Sequence, residues 1–456
     1  MANVAVGTRT PGPAGQGTST RVSAAPATAD RFRMDLSTTP GRLRLLLGVL
    51  VLLSLAWGAL AAFTVNQYAS AASSVVAVRE PLSLDAQQIY RRLSDANDTA
   101  ATAFLAGGLE PAAARQRYLA DIRAAGTQID SATAQAGTTS GSVARDLRTL
   151  SAELPVYAGE VETARANNRL GFPLGAAYLR EASDLMRSTL LPAANDMYAA
   201  ENASLTSTSA QATGLPLVIV TIAIGLGICF VLYLVSRWLL RRTHRVLNAG
   251  LLLAGAAAAI ALVWLAIAYG GARSDLLNAQ ARGSAPVEAL ARADIAALQA
   301  HADESITLID NGGDDTYQAA YLRQQRALGP GPGTLLTLAE TAATGSQASG
   351  GATAAVRDAQ SWYAAHAKLR TLDNNANHAA AVRSALGSGP SDAGTAFTKL
   401  SADLATGITA GQATFAASAS AGADAFTGLE PGVIVAALVM AVGCAWGLSR
   451  RLAEYR

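Results

Sequence analysis

The sequence offers little with which to do covalent chemistry. Its four histidines, His244, His301, His366 and His378, are scattered, with no H-x-x-x-H spacing between any two. Neither a G-x-S-x-G elbow nor a Walker A run is present. The only cysteines, Cys229 and Cys444, both fall inside apolar runs, so the polar segments hold no disulfide and the pair lacks companion ligands for a metal. Charged residues are 15% of the chain and lysines number two, Lys368 and Lys399. These shortages leave no nucleophile, base or metal site to assemble, so no enzymatic activity and no cofactor are expected. The GGDD at Gly312 to Asp315 resembles a cyclase signature but stands between helical patterns, where it reads as a turn.

Apolar residues, by contrast, make up 51% of the chain, and the mean hydropathy is +0.24. Four runs free of acids and bases, each near the roughly 20 residues a bilayer core requires, predict transmembrane helices at 42–65, 213–236, 248–270 and 431–449. The first is too long, and too far from the start, for a cleaved signal peptide. Within the runs polar side chains such as Ser54, Thr64, Thr221 and Tyr233 are few and no buried acid or base accompanies them, which argues against a coupled transporter or channel. The small residues of GLLLAGAAAA, from Gly250, favour close helix packing.

The connector 237–247 carries Arg237, Arg241, Arg242 and Arg245 and no acid. Short basic loops stay on the cytoplasmic side, and the arginine-rich tail 1–41 and the end 450–456 agree. Both termini are therefore expected in the cytoplasm, with the lipid bilayer as the first partner and a bacterial plasma membrane as the location. The four arginines would contact anionic headgroups or dock a cytoplasmic protein. The basic residues are span anchors, and no nucleic-acid partner is expected. The segments 66–212 and 271–430 then lie outside. Tail residues 1–41, rich in Pro, Ala, Ser, Thr and Gly, show no hydrophobic pattern and are expected to be disordered.

An internal repeat is visible. PLSLDAQQIYRRLSDANDTAATAFLAGGLE after Glu80 parallels PVEALARADIAALQAHADESITLIDNGGDD after Ala285, and YLADIRA from Tyr118 parallels YLRQQRA from Tyr321. The spacing of Leu84, Ile89, Leu93, Ala96, Ala100 and Phe104 is helical, no stretch alternates like a strand, and Gly107-Gly108 stops the run. The expected fold is all-α: an integral membrane protein with four transmembrane helices and two tandem extracytoplasmic four-helix bundles, 66–212 and 271–430. A fused pair of this kind would place the two cysteine-bearing spans in equivalent positions, close enough to crosslink. Arg91 and Arg92, beside Tyr90, are candidate contacts for a carboxylate ligand; the competing reading is a solvated helix face paired with Asp95.

A helical bundle flanked by two spans resembles the input half of bacterial chemoreceptors and histidine kinases, which work as dimers, so a homo-oligomer is a candidate state. The whole topology, with a short basic inner loop and no enzymatic motif, resembles the actinobacterial four-span membrane proteins of the glutamine/glutamate-sensing system. That resemblance implies a signalling adaptor, with a solute-binding lipoprotein for amino acids outside and the soluble Ser/Thr kinase, protein kinase G, inside. The alternative is a self-contained chemosensor or cell-envelope scaffold.

Overall fold

A computed structural model describes residues 39–108, 110–135, 141–243, 248–311 and 315–453. Among them there is no strand. The first half contains α1 (Thr39–Ser74), α2 (Glu80–Leu105), α3 (Ala112–Gln135), α4 (Gly141–Arg169), α5 (Leu174–Leu185), α6 (Leu191–Thr213) and α7 (Pro216–Thr243). The second contains α8 (Ala249–Ala279), α9 (Ala285–Asp310), α10 (Thr316–Leu328), α11 (Leu335–Ala343), α12 (Ser349–Asn374), α13 (His378–Leu386), α14 (Ala393–Asp424) and α15 (Leu429–Ala453). The segment expected as a second four-helix bundle is thus broken into six helices, because Pro330, Gly333, Gly345 and the Ala376–Asn377 turn interrupt the pattern. Gly312, Gly313 and Asp314 of the GGDD run lie outside the described residues.

Among the described residues four helices are long and apolar enough to cross a membrane, and the protein is a multi-pass membrane protein. In this region α1 packs on α15, α15 on α8, α8 on α7 and α7 on α1, closing a four-helix bundle. Leu52, Phe63, Ile219, Phe230, Ile260 and Val442 face outward, as a lipid-facing surface requires, while Trp57, Leu265, Met440 and Cys444 fill the centre. Each cysteine-bearing helix packs chiefly on α1 and α8, so α7 and α15 lie diagonally across the bundle, not side by side as a close pairing of the two spans would place them.

The few polar groups in the spans are tied together. Trp57 Nε1 donates to the Thr221 carbonyl at 3.0 Å, and the Thr64 and Thr221 hydroxyls lie 3.0 Å apart. Asn248 caps α8 by accepting from the Gly250 amide and donates from Nδ2 to the Gly447 carbonyl at 2.8 Å. A Cβ on Gly250 would come within 2.5 Å of the Gly443 carbonyl oxygen and the Gly447 amide nitrogen. The small-residue face expected from GLLLAG therefore packs directly on the Gly443 and Gly447 surface of α15.

Helices entering and leaving the membrane differ. α1 runs into α2 and α8 into α9 without a break, each through a π-helical turn, Val75–Arg79 and Gln280–Ser284. These two turns, and the helices after them, stand at one constant sequence separation. The returning helices are interrupted: α6 ends at extended Gly214 before Pro216, and α14 ends in a turn closed by Gly428 with φ +77°. Pro216 has no amide hydrogen to continue the α6 ladder, and Gly428 takes a left-handed conformation that costs other residues energy.

Candidate functional site

Beyond the membrane bundle, the helices form a head in which α2 and α9 lie side by side. Arg91 and Asp294, Asp98 and His301, and Thr102 and Ser305 make contacts at the same separation of 203 residues. A constant separation means the two helices run parallel and in register. The head cores of both halves meet here: Leu105 joins the core around Trp362, Ile309 packs on the core around Tyr157, and Ala101, Ala302, Ile306 and Tyr317 form a cluster between them.

This seam is apolar in shape but carries an unusual load of charge. Arg91 Nε donates to Asp294 Oδ2 at 2.5 Å, and the Asp294 side chain is wholly buried. His301 Nδ1 lies 2.6 Å from Asp98 Oδ1, with both residues buried. Arg187 Nη1 donates to Asp303 at 2.7 Å and lies over the Tyr317 ring, and Arg180 pairs with Asp310. Asn202 bonds Glu288 at 3.0 Å lower down. Breaking one partner of such a buried pair leaves an uncompensated charge, at about 3–5 kcal/mol.

Burial sets the protonation of these groups. It pushes the Asp303 carboxyl up to about 7, with the nearby Arg187 opposing the shift, and raises Asp294 against the pull of Arg91. For His301, burial acts downward, but the Asp98 carboxylate, its hydrogen bond and Glu304 more than offset it, so the imidazole holds its proton above its ordinary range. A second histidine, His366, pairs with buried Glu304 and stacks on Tyr321, 3.6 Å between ring centres.

At the end of the seam far from the spans, a cleft of about 430 Å³ opens between the halves. Asp98, Thr102 and Arg117 line it from the first half, and His301, Leu386 and Phe397 from the second. Phe397 stacks flat on His301, 3.8 Å between ring centres. Its volume is within the range of small-molecule pockets, and its walls are mostly apolar with a few convergent polar groups. A second pocket, of about 40 Å³, lies beside the Gln280–Ser284 turn and has room for little more than a water molecule.

Arg91 and Arg92 are both engaged inside the protein. Arg91 reaches across the seam to Asp294, and Arg92 Nη1 donates to Asp121 of α3 at 2.7 Å. Asp95 pairs with neither of them; it receives Arg117 at 2.6 Å and is buried. The helix face expected to be solvated is therefore a packed one. Arg237 and Arg241 lie on the last turns of α7, which extends past the expected span to Thr243, and Arg237 donates to the Tyr233 hydroxyl at 3.1 Å. Arg242 falls in the same helix, and Arg245 lies outside the described residues. Sequence reasoning passed over Asp98, Arg117, Asp294, His301 and Asp303. For Asp294, His301 and Asp303 the signal was the density of ionisable groups on alanine-rich α9, which a buried face would not carry unpaired.

Residues 71–210, from the end of α1 to α6, match the family model of the actinobacterial sensor domain. No curated protein and no solved structure matches the chain. The first half of the head is thus similar to actinobacterial sensor domains, a similarity that points to a sensing or signalling role.

Proposed function

We propose that the protein is a non-enzymatic transmembrane signalling adaptor, which receives an extracytoplasmic solute signal in the head and passes it to a cytoplasmic partner such as a Ser/Thr kinase. The observation that carries this reading is the pair of unbroken helices, α1 into α2 and α8 into α9, which leave the membrane separately and meet at a buried polar seam. Any event that shifts α2 against α9 must be absorbed at the π turns or transmitted into α1 and α8. Arg237 and Arg241 on the basic end of α7, away from the head, support a cytoplasmic side there under the positive-inside rule. The equal placing of the two π turns supports a duplicated span-and-bundle unit, with the second bundle elaborated by extra helices.

A solute-binding lipoprotein as carrier of the signal is favoured by the outer face of α4 and α5. Glu153, Glu160 and Glu181 line a shallow groove there and hold no ion pair among the described residues, and Leu170, Phe172 and Leu174 are exposed at its distal end. A second copy docked face to face would oppose acid to acid, so a basic-rimmed protein is the fitting occupant.

In-cell crosslinking of a tagged full-length copy, with partners identified by mass spectrometry, tests both steps. Recovery of a solute-binding lipoprotein and a soluble kinase is the expected result. Recovery of the protein alone, or of cell-wall enzymes, would overturn the adaptor reading and leave a sensor or scaffold.

A further inference from the structure

The distal cleft brings one cation and one anion to the same opening, each with part of its bonding capacity unused. Arg117 holds Asp95 through Nη2 and, more weakly, Nε, and its Nη1 has no hydrogen-bond partner among the described residues. Its side chain is 53% exposed. Asp98 spends Oδ1 on His301, while Oδ2 carries no hydrogen bond among the described residues. Asp98 lines the cleft, so the remaining bonding capacity of that oxygen is turned toward whatever occupies the opening.

The walls restrict what fits. Ala103 on α2, Ala106 just past its end, and Ala113 and Ala114 on the first turn of α3 leave space beside the charges, and Phe397 with Leu386 closes the other side. About 430 Å³ is ample for a molecule of amino-acid size and tight for an oligosaccharide or peptide of several residues. A simple anion would meet Asp98 and Asp95 beside Arg117, and a simple cation would meet Arg117 and the protonated His301. Only a ligand carrying both charges on neighbouring atoms satisfies both groups at once.

We infer that the cleft between α2, α3, α9 and α14 binds a small zwitterion, an α-amino acid or close analogue, with its carboxylate on Arg117 and its ammonium on Asp98. The ligand touches both halves of the head, because Asp98 and Arg117 come from one and His301 and Phe397 from the other. Occupancy therefore biases the α2–α9 seam directly. This inference rests on the sensing role proposed above and places the solute on this chain itself.

The test is calorimetry on the full-length protein in lipid nanodiscs, titrated with the individual proteinogenic α-amino acids, and then with the best binder's des-amino acid and decarboxylated amine. The expected result is saturable binding of one or a few amino acids, with affinity reduced about tenfold or more for each singly charged analogue. Ala113→Trp, which fills the mouth of the cleft, is expected to cause a similar or larger loss while leaving the thermal unfolding profile in place, and Arg117→Gln, which also leaves buried Asp95 without its cation, is expected to cause a similar loss with a lowered unfolding temperature. Asp98→Asn adds the second charge if that variant folds. Absence of binding by every amino acid overturns the inference, as does equal binding of the des-amino acid or wild-type affinity in both Arg117→Gln and Ala113→Trp. If no amino acid binds while crosslinking still recovers a lipoprotein and a kinase, the zwitterion site falls and the adaptor reading stands.

Discussion

At the scale of single residues, the head is held by charges placed where hydrophobic groups would ordinarily sit. Asp294 is wholly buried with Arg91 as its cation. Arg91→Ala is expected to destabilise the head by about 3–5 kcal/mol, because Asp294 is left buried and unpaired, and the double replacement Arg91→Met with Asp294→Leu should recover most of that loss. Thermal unfolding in nanodiscs reads both, and a double variant as unstable as the single one would show that the pair's cost lies elsewhere. The pH dependence follows from the raised groups. Asp303, at about 7 in the folded protein, takes up a proton on folding, so its contribution is full below the ordinary carboxylate value of about 4 and is lost as pH rises through about 7. His301, also raised, contributes fully below about 6.5 and loses that contribution as pH climbs through its folded value. The head should therefore unfold at a lower temperature at pH 8 than at pH 5, and Asp303→Asn should flatten the part of the slope between about 4 and 7.

Elements show how the seam is coupled to the membrane. The returning helices are cut at Gly214 and Gly428, whereas the entering ones are continuous through their π turns. A π turn holds one residue more than the α-helix beside it needs, so deleting one residue from Gln280–Ser284 should restore plain α-helix. Because the turn had absorbed that residue, α9 then keeps nearly its phase, whereas deleting one further residue from the α-helix so restored rotates α9 by about 100° relative to α8 and removes Asp294 and His301 from their partners. The expected outcome is loss of any partner crosslink that depends on the head, with the spans still inserted; unchanged crosslinking would mean the entering helices do not carry the signal. In the membrane, α8 and α15 touch at Gly250, Gly443 and Gly447. Gly250→Leu should push the two helices apart by more than side-chain motion can absorb, since backbone atoms lie within 2.6 Å of the added Cβ, and should lower yield and thermal stability together.

The whole molecule is a single parallel frame: two entering helices joined at the head by the seam and at the membrane by a four-helix bundle. Its closure can be checked by disulfides. On a cysteine-free background, Thr64→Cys with Thr221→Cys should crosslink readily, because those hydroxyls lie 3.0 Å apart, whereas native Cys229 and Cys444, on diagonally placed helices, should not crosslink within one chain. A strong Cys229–Cys444 crosslink in monomeric protein would require a different order of helices. Much of this frame was legible in the sequence. The four spans follow from unbroken apolar runs, and the helix ends at Leu105 and Arg169 follow from Gly107-Gly108 and from GFPLG. Tyr118 and Tyr321, paired by the repeat, are both fully buried. The extra helices after Leu328 were not legible as such, because glycine-rich loops and short alanine helices have nearly the same composition.

By itself the sequence determined the helical class, the number of membrane-capable segments and the places where helices stop. Those properties are local: they depend on runs of apolar residues, on glycine and proline, and on helical spacing within one segment. Only the tertiary structure decided which charges face water. Arg91, Asp98, Asp294, His301 and Asp303 have the same local sequence character whether they lie on a solvated face or in a seam. The pairing of Arg91 with Asp294 and of Asp98 with His301 depends on the register of two helices about two hundred residues apart, and that of Asp303 on Arg187 of the first half, which no short-range pattern encodes.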